Sequence, residues 1–440
     1  MMKRRELLTK ALMLGATGLI FPVPRIFGAT TDPYTGRLLV TLQADGGWDV
    51  SSFCDPKMNQ PGEKEITNWS KTKEIQTAGN ITFAPFARNK EFFEKYYKNM
   101  LVINGIDAQT NSHTTGVLHN WSGRNAEGFP SITALFAARN APKQPLSYLS
   151  FGGFSQTAGI IRFSRLDDVN SLRGILVPEW RYHHVNQDNP EENWPVYSRR
   201  SSDMERIRKY RNWRIERMQM KSELLNRQRY NLEAYAEALE SKSALSNFTN
   251  YLPDESEILP DVQVNEWERS NLPRQIQMTV AAFKSGLASA ADLRTGGYDT
   301  HTDHDNRHES LFGHFTDMID LFWTQAGEAG IADRITMVIG SDFSRTPHYN
   351  ADNGKDHWPI GSVIVMEQNP SWGNRVVGLT DEGQNAYKIN PNTLQRDDAN
   401  GTIIYPKHVH KALRRYLNLE NTSVESNFAF FNTEDFKFFG

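Results

Sequence analysis

Arg37-Leu-Leu-Val-Thr-Leu-Gln43, running into Ala44-Asp-Gly-Gly-Trp-Asp49, is the stretch on which the fold turns. It reads as a short buried strand that empties into a Gly-rich turn. The pattern recurs. Met100-Leu-Val-Ile-Asn-Gly105 ends near Thr110-Asn-Ser-His-Thr-Thr115, and Ile335-Thr-Met-Val-Ile-Gly340 ends at Ser341-Asp342. Ser362-Val-Ile-Val-Met366 and Arg375-Val-Val-Gly-Leu379 supply further strand candidates. Helical spacing marks 91–98, 131–139 and 307–329, the last with Leu311, Phe315, Met318, Leu321 and Phe322 on one face. Strands alternating with helices predict an α/β fold, a central mostly parallel sheet flanked by helices. The polar clusters follow strand ends, where open α/β sheets bind ligands.

The densest cluster is Gly297-Tyr-Asp-Thr-His-Thr-Asp-His-Asp-Asn-Arg-His308, answered by Ser341-Asp-Phe-Ser-Arg345 and Lys355-Asp-His-Trp358. Of the twelve His, six (His301, His304, His308, His314, His348, His357) fall in this region, interleaved with Asp299, Asp303, Asp305, Asp342 and Asp356. Imidazole and carboxylate are the ligands of hydrolytic divalent centres, which predicts Zn, Mn or Mg as one or two ions. Asp299 and His301 lie two apart on an extended loop and can address one ion. Asp342, Asp356 and His357 are further ligand candidates, and Asp45 or Asp49 a ligand from the first strand end. Ser112 is either a metal-activated nucleophile or a helix cap. Arg345 either clamps a phosphate or sulfate or pairs with Asp342. Trp48, Trp121, Trp358 and Tyr298 stand near these segments, for stacking on a substrate or for core packing.

Residues 1–29 read as an address: Arg4-Arg5, Leu7-Leu8 and Lys10, a diluted apolar run from Ala11 to Phe21, then small residues at Gly28 and Ala29. This resembles a twin-arginine export signal, so a periplasmic or secreted protein is expected. Residues 30–440 are then one large α/β domain. The lone Cys54 excludes an intrachain disulfide, and a net charge of −3 excludes a globally basic nucleic-acid binder. No segment past the signal is long and apolar enough for a membrane span. Residues 198–250 differ in character: Met204, Ile207, Ile215, Met218, Leu225, Leu232, Tyr235 and Leu239 form a stripe, and basic residues crowd 199–229. They predict an inserted amphipathic helix or helical pair, a packing arm or a surface for a protein partner or anionic lipid.

The order strand–Asp, strand–Ser/Thr, Asp-x-His, strand–Asp, then His resembles the alkaline phosphatase-like superfamily, which includes sulfatases. Gly46-Gly-Trp-Asp49, Asn111-Ser-His113, Tyr298-Asp-Thr-His301, Ser341-Asp-Phe-Ser-Arg-Thr346 and Asp356-His357 resemble the DUF1501 family of exported proteins more closely. The resemblance implies a metal-dependent hydrolase of small-molecule or polymer phosphate or sulfate esters, with Asp49 (or Asp45), Ser112, Asp299, His301, Asp342 and His357 at its site. Phe343 stands where phosphatases of the superfamily carry His, and Cys54-Asp-Pro-Lys57 does not match a sulfatase signature. A one-metal site, or a non-catalytic binding or assembly protein on the same fold, is the alternative.

Overall fold

The computed structural model describes residues 32–152, 154–166, Asp168, Val169, Leu172, Leu176 and 201–440. Residues 1–29, where the export signal is expected, lie outside the described residues. Seven strands form the central sheet: β1 (Leu38–Ala44), β2 (Met100–Asp107), β3 (Tyr148–Ser150), β4 (Ala290–Thr295), β5 (Ile335–Ser341), β6 (Ile360–Met366) and β7 (Arg375–Val377), in the order β7-β2-β6-β5-β1-β4-β3. β1 runs parallel to β4 and β5, β3 parallel to β4, and β7 parallel to β2. β6 alone is antiparallel, inserted between β2 and β5.

Both faces of the sheet are buried, as a doubly covered α/β sheet requires. Leu38, Val40, Leu42 and Ala44 of β1 join one apolar cluster, and Leu39 joins the other, following the two-residue alternation of a strand. Helices α1 (Asn89–Tyr96), α6 (Leu272–Lys284) and α7 (His304–Glu328) send Phe92, Ile276, Phe283, Phe312 and Phe315 to the first cluster. Helices α2 (His113–Ser122), α3 (Ile132–Asn140) and α8 (Pro406–Tyr416) send Trp121, Leu135, Val409 and Leu413 to the second. Trp48, Trp121 and Tyr298 are all buried; they are core residues, not a stacking surface, because the bulk that suits a sugar face also fills the sheet interior.

The helical arm is a pair, α4 (Ser201–Gln219) and α5 (Asn226–Phe248), placed in the chain between the neighbouring strands β3 and β4. Among the described residues no helix is long and apolar enough to cross a membrane.

The direction of β6 positions the site. Its first residue, Ile360, lies opposite Asp107, the last residue of β2. The loop entering β6 therefore arrives at the edge where β1, β2, β4 and β5 end. Lys355, Asp356 and His357 precede a strand, yet they meet the loops that follow the others.

Candidate metal centre

Four loops converge at that edge. His113 is the first residue of α2, just beyond β2; Asp299 and His301 follow β4; Asp342 follows β5; and His357 opens a two-residue ribbon in which it pairs with Arg345 and Trp358 pairs with Ser344. His113, Asp299 and His357 offer ligand atoms that all lie within 4.8 Å of one another. His113 Nε2 is 3.4 Å from Asp299 Oδ2, and His357 Nε2 is 3.2 Å from Asp299 Oδ1. His301 flanks the group, its Nε2 3.0 Å from Asp299 Oδ1 and 3.1 Å from His357 Nε2.

The tautomers follow from the outer partners. Each Nδ1 faces an atom that can only accept: His113 Nδ1–H donates to Asp342 Oδ2 at 2.5 Å, His357 Nδ1–H to the Asn111 carbonyl at 2.8 Å, and His301 Nδ1–H to Asp356 Oδ1 at 2.6 Å. With a hydrogen on each Nδ1, each ring turns its Nε2 inward. His113 Nε2 is buried and has no hydrogen-bond partner. Two lone pairs at 3.1 Å cannot bond each other; they need a cation between them or a proton on one. A tetrahedral ion bound at roughly 2.0–2.1 Å separates neighbouring ligand atoms by roughly 3.3 Å, close to the spacings around Asp299. The donors fit a divalent ion, and the two nitrogens favour Zn or Mn over Mg. His113, Asp299 and His357 alone would leave a fourth coordination position, beside which His301 Nε2 stands.

Asp342 is not among the converging ligands. It is 1 % exposed and accepts from Gln43 Nε2 (2.9 Å), the Gly46 and Gly47 amides (3.0 and 3.3 Å), and His113. It orients and polarises a ligand from behind. Its Gln43 partner is itself held by the Trp121 indole, 2.6 Å from Gln43 Oε1. Gly46 and Gly47 sit at φ +115° and +84°, and a Cβ on Gly46 would come within 2.5 Å of the Asp299 amide nitrogen. Only glycine lets this turn close on the site. Asp356 holds His301 in the same way that Asp342 holds His113.

Arg345 is not the expected anion clamp. Its side chain is fully buried. Its guanidinium donates to the carbonyls of Gly46, Gly47 and Lys355 and, at 2.6 Å, to Asp299 Oδ1, so it is consumed by the scaffold. Partial burial would raise the Asp299 carboxyl, but the Arg345 hydrogen bond and charge and the His357 contact outweigh it and hold it at about 2. Asp299 is thus an anion at any working pH. Phe343 packs against both imidazoles, 4.9 Å from the His113 ring and 4.8 Å from His357, while the two imidazoles lie 4.5 Å apart edge to face.

Asp49 and Asp45 are not ligands to this group either, because both are already satisfied. Asp49 is fully buried, accepting from Ser51, Ser52, His304 Nε2 (3.0 Å) and Lys355 Nζ (2.8 Å). Burial alone would raise its carboxyl; Lys355 and His304 overcome that and keep it well below the usual range. The network closes on itself: Asp49 N–H donates to His308 Nε2, His308 Nδ1–H to Thr300 Oγ1, the Thr300 hydroxyl to His304 Nδ1, and His304 Nε2–H to Asp49. Burial lowers both imidazoles and keeps them neutral. Among the described residues one group of three side chains, His113, Asp299 and His357, could hold an ion. Asp45 pairs with Arg294 on the rim of a cavity of about 260 Å³ that His113, Phe154 and Gln156 also line. Ser112 is exposed at the N-cap of α2 and its side chain makes no capping bond.

The candidate ligand His113 lies beside Ser112 in a motif legible in the chain, but its signal, a His placed to meet an Asp from another strand end, requires the fold.

The family model for a protein of unknown function, DUF1501, matches residues 37–409. The chain belongs to the DUF1501 family. No curated protein matches it. Solved structures similar to this DUF1501 chain include an alkaline phosphatase superfamily protein from Vibrio parahaemolyticus (10 % identity, TM-score 0.36, covering 95 % of this chain and 76 % of that one). Another is the lipoteichoic acid synthase LtaP from Listeria monocytogenes (9 %, 0.34, 91 % and 75 %). A third is the alkaline phosphatase of the Antarctic bacterium TAB5 (11 %, 0.33, 78 % and 95 %), a variant of which was solved with Mg bound. At such values the likeness assigns no activity.

Proposed function

We propose that this DUF1501 protein is an exported metal-dependent hydrolase of phosphate or sulfate esters, working on one divalent ion held by His113, Asp299 and His357. The observation that carries the reading is the convergence of imidazole nitrogens on Asp299. When bound, the ion supplies Lewis acidity and lowers the pKa of a coordinated water or hydroxyl. The residues of the chain do the rest. Asp342 and the Asn111 carbonyl fix the orientation of His113 and His357 with Nε2 turned toward the ion, Arg345 keeps Asp299 ionised, and Phe343 keeps water from one side of the pair. Ser112, exposed and uncommitted next to His113, is the side chain available as nucleophile. The cavity beside His113 is where the substrate body would sit, with Arg294 at its rim as the cation accessible to an anionic group.

The test is elemental analysis of protein purified without chelator, with turnover of p-nitrophenyl phosphate and sulfate. One bound ion, lost in His113→Ala, Asp299→Ala and His357→Ala together with turnover, is the expected result. Wild-type protein that takes up no Zn, Mn or Mg on reconstitution sinks the reading. A second reading, a non-catalytic binding protein, is favoured by Arg345, whose buried guanidinium already neutralises Asp299 as an internal cation. It predicts bound metal or none, and no turnover of any ester.

A further inference from the structure

Ester hydrolysis at the sheet edge makes no use of α4 and α5. The whole chain has a net charge of −3, yet between Arg206 and Arg229 nine Arg and Lys face only Glu216 and Glu223. Of those nine cations, only Lys209 has an ion-pair partner among the described residues, Glu205 at 3.0 Å. Apolar side chains on the same hairpin stand in water: Tyr210 is 62 % exposed, Trp213 50 %, and, at the turn between the helices, Met220 83 % and Leu225 69 %. Between the helices lies a groove of about 810 Å³, floored by Ile207, Ile215 and Leu232 and edged by Arg206, Arg211 and Arg214. The Nε of Arg211 is buried there without a hydrogen-bond partner.

Unpaired arginines and exposed large apolar groups make different demands. An acidic protein or a nucleic acid would answer the arginines and leave Trp213, Met220 and Leu225 unsatisfied. A bilayer surface answers both. Lipid phosphates pair with the guanidiniums, Trp and Tyr settle at headgroup depth, and Met and Leu reach the acyl boundary. Among the described residues no helix is suited to crossing, and an amphipathic hairpin of this kind lies in the plane of the surface. We propose that the α4–α5 hairpin docks this protein on the surface of a membrane rich in anionic phospholipid, with Arg206, Arg211 and Arg214 as its phosphate contacts and the Met220–Leu225 turn as its apolar tip.

The experiment is co-sedimentation of the full-length mature protein with vesicles of phosphatidylcholine alone and of phosphatidylcholine mixed with phosphatidylglycerol. Binding is expected only to the mixed vesicles. It should weaken by about tenfold or more in the triple variant Arg206→Glu, Arg211→Glu, Arg214→Glu, and with added salt as the screening length falls from roughly 10 Å at 0.1 M to roughly 3 Å at 1 M. Met220→Ser with Leu225→Ser should weaken binding while leaving its salt dependence in place. Circular dichroism and thermal unfolding report whether each variant folds. Equal binding to both vesicle types, no binding to either, or full binding by a folded triple variant overturns the proposal. Tighter binding to polyglutamate or duplex DNA than to the mixed vesicles, with the apolar variants unaffected, also overturns it and assigns the hairpin to an acidic macromolecule.

Discussion

Asp342 shows how much of the candidate metal centre resides in groups that would not touch an ion. Buried, and collecting N–H donors from β1, the Gly46–Gly47 turn and α2, it fixes one ring orientation for His113. Replacing it with Asn keeps the volume but turns a pure acceptor into a mixed group facing donors. Asp342→Asn should therefore weaken metal affinity by about 10–100-fold while the protein still folds; competition with a chelating dye measures it, and unchanged affinity would contradict the role. Arg345 makes the opposite case. Its donors satisfy three carbonyls and Asp299 from a site without solvent, so Arg345→Ala leaves buried acceptors and a carboxylate unpaired. A loss of about 3 kcal/mol in urea unfolding is expected. The rim residue Arg294 is 45 % exposed, and Arg294→Ala should cost stability little.

At the scale of elements, α2 sits so close to the end of β5 that Gly116 has no room for a side chain. A Cβ there would stand 2.5 Å from the Asp342 carbonyl oxygen, which is backbone and cannot swing away. Gly116→Ala should destabilise by about 1–3 kcal/mol through overpacking and, by pushing His113 off its partner, loosen the metal as well; melting temperature and bound metal should fall together. The elements were unequally legible in the chain. The runs at 37–43, 100–105, 335–340, 362–366 and 375–379 announced β1, β2, β5, β6 and β7. β4 did not announce itself, because Asp292 and Arg294 interrupt Ala290–Thr295. Asp292 tolerates the sheet interior only because Thr41, its register partner on β1, donates at 2.6 Å and the Tyr148 hydroxyl of β3 joins it; burial still pushes its carboxyl up to about 6. Those partners come from other strands and leave no trace in the local sequence. The same limit hid His113, whose Asp342 partner is 229 residues away. It also made Asp49 look like a ligand, since nothing near it in the chain shows that Lys355 has claimed it. Asp299 and His301 stood out as candidates because their cluster is local, and His357 because Lys355-Asp-His-Trp358 is a short polar run just before a strand.

For the whole molecule, the covered second face of the sheet sets a pH limit. His410 of α8 is buried with Nε2–H donating to the Asn120 carbonyl at 2.8 Å, and burial pushes the ring down from 6.5 to about 3. Above pH 6.5 it is neutral both folded and unfolded and contributes no pH dependence. As pH falls from 6.5 toward 3, the unfolded chain takes a proton that the folded chain refuses. Stability should then drop by about 1.4 kcal/mol per pH unit from this group. Urea unfolding at pH 7 and pH 5 should show the decline, and His410→Gln, which retains a donor for Asn120, should lessen it by the share of this one ring, leaving that of other buried imidazoles such as His304 and His308.

The reversed strand β6 also has a consequence in time. Both neighbours of β2 in the sheet, β6 and β7, come from the last quarter of the chain. As the ribosome delivers the chain from its N-terminus, β2 emerges early and waits, both edges open, until Ile360–Met366 arrives to join it to β5. His357 emerges immediately ahead of that strand. The last candidate ligand and the strand that joins β2 to β5 are therefore synthesised together, so an ion bound there would report that synthesis has passed the point at which the two parts of the sheet are joined.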